Sequence, residues 1–225
     1  MRMPLRHRQI MAWPMPKPLV QIEARLPPSS GVLLTKLQRD IAACRLCSSL
    51  TPWRQFESNA YGTTSTGYVL VGEAPGYKSL VKRRRFTGPA GMVIRRALQQ
   101  LAHPRYRDLE DLFYLTDVVK CHPAAALQST ANRAPRRAEI HSCADHLLQE
   151  IHLLQPSIIL TFGKIAAEAV ATVKPLSKVV AFPHPSPRNQ LTIQKHYASR
   201  KAFEEAISAT FGELIAQLEQ RSFHA

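Results

Sequence analysis

The sequence predicts an α/β fold: a three-layer α/β/α sandwich around a central, mostly parallel four-stranded sheet. Two observations lead there. Short apolar runs of strand length recur at 68–72 (YVLVG), 112–119, 157–162 and 178–182. Segments with the helical period of about 3.6 residues lie between and around them, near 33–43, 90–102, 136–154, 164–172 and 195–220. Strands alternating with helices make parallel neighbours whose two faces are both covered. A chain of 225 residues with 45% apolar content can bury one sizeable core. We therefore expect a single domain over 31–225.

Residues 1–30 stand apart. They hold no acid before Glu23, carry Arg2, Arg6, Arg8 and Lys17, and have prolines at 4, 14, 16, 18, 27 and 28. This is the composition of a basic, proline-rich arm. The first helix, from Leu33 to Ala43, leads into CRLC at 44–47. The first strand runs into GEAPG at 72–76, the second ends in TDVVKC at 116–121, and the last leads to HPSPRN at 184–189. Ligands of such sheets bind beyond the carboxyl ends of the strands, so these three loops should converge on one rim.

Thirty Lys and Arg against sixteen Asp and Glu give a formal charge of +14. An imbalance of that size attracts polyanions, nucleic acid first among them. No apolar run approaches the roughly 18 residues of a membrane span, and the start of the chain lacks a secretory apolar core. The expectation is a cytoplasmic protein, whose four cysteines then sit in a reducing compartment. One close pair, Cys44 and Cys47, plus the separate Cys121 and Cys143 suits a four-iron cluster, which needs one thiolate per iron and no fixed pairing. A zinc site and thiols buried without metal remain the alternatives. GEAPG lacks the GxxxxGK[ST] pattern, which argues against a phosphate-loop enzyme.

The ordered set of CxxC, GEAPG, RxFTGxAG at 84–91 and HPSPRN, with single cysteines in VVKC and IHSC, resembles the uracil-DNA glycosylase superfamily, most closely its iron-sulfur branch, family 4. The resemblance covers about 44–189 and implies a monofunctional DNA N-glycosylase that flips a base from DNA and hydrolyses its bond to deoxyribose. It implies that Cys44, Cys47, Cys121 and Cys143 hold a [4Fe-4S] cluster. Glu73 would lie near the sugar and the attacking water, and His184 would hydrogen-bond the base O2 as negative charge collects there. Gly72, Ala74 and Gly76 would shape the base pocket, with Phe86 stacked on the flipped ring. Ser186, Arg188 and Asn189 would enter the minor groove, Arg188 as a wedge, while the run Lys82, Arg83, Arg84 and Arg85 would meet phosphates. DNA is the implied partner and a monomer the expected state.

One position departs from the family pattern. The residue that reads the base edge is normally Asn, and here it is Asp117. An ionised carboxylate only accepts, so it opposes uracil O4, whereas a protonated Asp117 could accept from the cytosine amino group and donate to N3. Burial would favour that protonated form. Gly76 stands where the best-known uracil enzymes of the superfamily place a tyrosine against the base C5, and by that resemblance would leave the C5 side open. Together these favour a C5-modified cytosine, such as the hydroxymethylated or glucosylated cytosines of phage DNA, and an antiviral role. The alternatives are uracil removal in base excision repair and an inactive DNA-binding protein.

Overall fold

The computed structural model describes residues 30–53, 61–126 and 129–223. All but the last residue of the expected arm at 1–30 lies outside the described residues. Among these, the strands β1 (Tyr68–Gly72), β2 (Tyr114–Asp117), β3 (Ile158–Phe162) and β4 (Lys178–Phe182) form one sheet in the order β2-β1-β3-β4, and every pairing is parallel.

The two faces of the sheet are set by side-chain alternation. Tyr68, Leu70, Leu115, Ile158, Leu160 and Phe162 point into one core, with Val93, Ile94, Phe203 and Phe211 from the covering helices α3 (Pro89–Gln99) and α8 (Arg200–Phe223). Val69, Val71, Tyr114 and Ile159 point into the other. There they meet α1 (Ser30–Ala43) through Leu34, α5 (Arg137–Leu154) through Leu147 and Ile151, and α6 (Lys164–Val173) through Ala166. Both faces being covered is what makes the central strands apolar end to end. Among the described residues no helix is long and apolar enough to cross a membrane.

Three boundaries differ from the sequence expectation. A short helix α2 (Tyr77–Val81) follows GEAPG. A turn of helix, α4 (Leu109–Leu112), precedes β2 and delays it to Tyr114; Asp108 and Asp111 form a capping box there while Leu109 and Leu112 anchor it in the core. The single helix expected at 195–220 is two, α7 (Gln190–His196) and α8. Tyr197 adopts an extended backbone, and Ser199 Oγ accepts a hydrogen bond from the Ala202 N–H at the start of α8.

Candidate active site at the carboxyl edge of the sheet

Glu73, Asp117 and His184, far apart in sequence, line one cleft of about 600 Å³, its open mouth included. The topology brings them together: Gly72 and Asp117 are paired across the last rung of β1 and β2, and His184 lies two residues beyond β4. Phe162, at the end of β3, lines the same cleft. Val118 and Val119 donate backbone hydrogen bonds to the carbonyls of Gly72 and Glu73, stitching the two loops. Gly72, Ala74, Gly76 and Phe86 all line the same cleft.

Phe86 owes its position to an arginine that the sequence did not single out. Arg95 of α3 is buried, donates to the carbonyls of Arg85 and Phe86, and is itself paired with Asp108 and Glu110. This clamp holds Phe86 at φ +56°, a conformation that costs a side-chain-bearing residue about 1–3 kcal/mol. Gly91 permits it, since a Cβ there would lie 2.2 Å from the Phe86 carbonyl oxygen. Burial alone would raise the Glu110 carboxyl, yet hydrogen bonds from Arg95 and Arg84 bring it down to about 2.

The KRRR run divides. Lys82 and Arg83 are exposed near the pocket loop. Arg84, expected on phosphate, bonds Glu110 and Asp108 at 2.7–2.8 Å. Arg85 is corrected outright: it is 0% exposed and forms an ion pair with Asp117 Oδ2, so it does not lie on a DNA-facing surface. Its guanidinium also sits 4.9 Å from the centroid of the Tyr61 ring. Lys120 and Glu150 extend this buried network, with Lys120 Nζ donating to Glu150, to Thr116 Oγ1 and to the Asp117 carbonyl. Burial pushes the Asp117 carboxyl above its ordinary value, opposed by Arg85 and then by Lys120. Burial, and after it the Asp117 charge, likewise raises Glu73.

His184 is oriented by its own loop. The Ser186 N–H donates to Nδ1 at 3.3 Å, which assigns the ring proton to Nε2. Burial lowers its pKa and favours the neutral ring. Ser186 and Asn189 work inside the loop: Ser186 Oγ accepts from the Arg188 N–H, and Asn189 Nδ2 donates to the His184 carbonyl. Arg200 donates to the Pro185 carbonyl at 2.6 Å, and Arg188 is exposed at the tip. A larger groove continues from the cleft between this loop and the 130–132 segment, with Lys164 and Ile165 on its wall.

The space beside Gly76 is not empty as expected. Asn132 Nδ2 stands 3.1 Å from where a Cβ would be, and its Oδ1 accepts from the Tyr77 N–H. No spacing rule in the sequence marks Asn132, which a short bridge between Ala124 and Asn132 brings to the rim.

Cys44, Cys47, Cys121 and Cys143 surround a second, small cavity, beside Leu46, Leu50 and His146. None is in a disulfide. Burial raises the Cys47 and Cys143 thiols, Cys44 adding to the rise at Cys47. The Lys120 N–H points at Cys143 Sγ, 3.3 Å away. Among the described residues no three His, Cys, Asp or Glu side chains are gathered closely enough to cage a single ion.

A parallel α/β/α sandwich with a carboxylate, a neutral histidine and an aromatic ring around one cleft defines the class of molecule. The family model described as "Uracil DNA glycosylase superfamily" matches residues 60–209, two-thirds of the sequence, and the chain belongs to that superfamily. It is 36% identical over 140 residues to a type-4 uracil-DNA glycosylase of Pyrobaculum aerophilum, covering 61% of this chain and 64% of that protein. A type-4 uracil-DNA glycosylase of Archaeoglobus fulgidus is 31% identical over 61% of this chain and 63% of its own length. One of Thermotoga maritima is 34% identical over 47% and 49%. The match thus spans less than two-thirds of these relatives.

Proposed function

We propose that this protein is a DNA N-glycosylase that holds one extruded nucleobase in the cleft and hydrolyses its bond to deoxyribose, leaving an abasic site. The observation that carries the reading is the convergence on one cleft of Glu73, Asp117 and His184, from three separate strand ends, with Phe86 from the turn before α3. In it, Phe86 stacks on the base, Glu73 orients water and takes its proton as oxygen bonds to C1′, and the neutral His184 donates from Nε2 to the base O2 as the C1′–N bond breaks. The adjoining groove, with Arg188 at its edge and Lys82 and Arg83 nearby, carries the DNA strand. Membership in the superfamily and relatives named as glycosylases support this reaction class.

Asp117 is the base-reading residue in this proposal, and it favours an amino-bearing base, a C5-modified cytosine. Asn132 beside Gly76 borders the C5 side, so a bulky substituent would displace an exposed amide. The relatives' names favour the second reading, uracil. A panel of duplexes carrying uracil, cytosine, hydroxymethylcytosine or its glucoside, scored for alkali-labile breaks, tests both. Breaks at modified cytosine with uracil spared support the first reading, the reverse pattern supports the second, and intact DNA throughout with salt-sensitive binding would leave an inactive DNA-binding protein.

The four cysteines are proposed to hold a [4Fe-4S] cluster. Tetrahedral zinc with Zn–S near 2.3 Å draws its sulfurs to about 3.8 Å of one another, a tightness that a cubane with one thiolate per iron does not demand. The chemistry of the donor set, four thiols around one cavity, fits the cluster. Bound, it would supply a cross-link between the end of α1, the loop after β2 and α5. Brown colour with bound iron and sulfide, lost in Cys143→Ala, is the expected result.

A further inference from the structure

We propose that Arg85 sets which base the cleft accepts: by occupying Oδ2 of Asp117 and keeping that carboxylate ionised, it leaves Oδ1 as a bare acceptor that selects an exocyclic amino group over the carbonyl edge of uracil. The inference rests on reading the cleft as a base pocket. Its basis is the position of three groups. Asp117 lines the cleft beside Gly72, with Oδ1 2.5 Å from where a Gly72 Cβ would stand and the edge of the Phe86 ring 2.9 Å from the same point. Oδ2 faces inward to Arg85. Arg85 itself does not line the cleft, so none of its N–H groups is offered to a base.

Chemistry then decides. A guanidinium keeps its proton at any pH a protein survives, and its charge against Oδ2 favours the ionised carboxylate, opposing the burial that raises this carboxyl. The other groups around Asp117 are Lys120, whose Nζ reaches the Asp117 carbonyl, the Glu150 carboxylate, the Tyr61 ring beneath Arg85, and Glu73 across the cleft. The two cations offset the nearby carboxylates. An ionised Asp117 has no proton to give to cytosine N3, so only the accepting half of the expected pairing survives. That half still discriminates. The cytosine amino group projects beyond the ring and can reach Oδ1 alone, whereas uracil N3–H is flanked by two carbonyl oxygens and brings one of them against the same negative charge. A site built around one polar contact commonly rejects the mismatched edge by a hundredfold or more.

Arg85 is thus a positioning residue acting through Asp117, and base preference reads its effect. The wild type should excise an amino-bearing base with kcat/KM at least about 100-fold above that for uracil. Arg85→Met should narrow that ratio by roughly tenfold or more, because a neutral Asp117 can donate to O4, and Arg85→Lys should restore it. Asp117→Asn alone leaves the buried guanidinium without this carboxylate, so uracil excision should emerge more fully in Arg85→Met with Asp117→Asn than in Asp117→Asn alone. Infrared spectra give a readout independent of turnover: no protonated-carboxyl band from Asp117 at neutral pH in the wild type or Arg85→Lys, and its appearance in Arg85→Met. A protonated Asp117 band in the wild type, or a folded Arg85→Met with unchanged base preference and no such band, overturns the proposal. If no variant releases any base, the glycosylase reading fails, while the band still decides what Arg85 does to Asp117; should Arg85→Met not fold, the wild-type spectrum decides it.

Discussion

Two carboxylates share the cleft, and their coupling is measurable. Burial and the Asp117 charge both hold the Glu73 proton more tightly than usual, so the acid limb of the kcat/KM profile should lie above the ordinary carboxylate value. Removing the like charge with Asp117→Asn should move that limb to lower pH, and an unmoved limb would mean that another group controls it. Glu73→Gln should reduce single-turnover excision by about 10²–10⁴ while leaving DNA affinity nearly unchanged. Asp117→Asn should also destabilise the fold by about 3–5 kcal/mol in denaturant titration, because it breaks a buried pair. Glu73, Asp117 and His184 were legible in the sequence as strand-end residues in recognisable loops. Arg85 was not: a run of four basic residues has the look of a solvated face, and only the fold, by bringing β2 against this turn, turns one of the four inward.

At the scale of elements, the cleft depends on close approach between loops. Gly91→Ala would drive a methyl into the Phe86 carbonyl, at 2.2 Å, and should cost about 1–3 kcal/mol together with most of the excision activity. Unaltered stability would show that the Phe86 turn relaxes freely. The strands and most helices follow from period and turn chemistry, which is why β4 and the core of α5 lie where the sequence places them. The break at Tyr197–Ser199 and the capped turn α4 escaped because they depend on local hydrogen bonds inside otherwise helical or apolar stretches. Asn132 escaped for a different reason: its place beside Gly76 comes from a loop bridge between residues with no periodic signal.

For the whole molecule, pH and charge give the broadest tests. His184 is held neutral by burial, so its folded pKa lies below the ordinary value of about 6.5. The unfolded chain then binds the extra proton first, and this contribution to stability is complete above that value and declines as pH falls below it. The loss in denaturation midpoint between neutral and mildly acidic pH should be smaller in His184→Gln than in the wild type. The +14 charge predicts binding to any duplex with steep salt dependence, and replacing exposed Lys82 with Ala should shallow the log K against log salt slope by about 1 if it meets a phosphate. The measurement that tests the central claim most directly is mass spectrometry of the products from a duplex carrying one hydroxymethylcytosine. Release of the free base with an intact abasic strand, from the wild type and not from Glu73→Gln, is predicted. Uncut duplex with the base still attached, under conditions where the wild type is folded and bound, would contradict it.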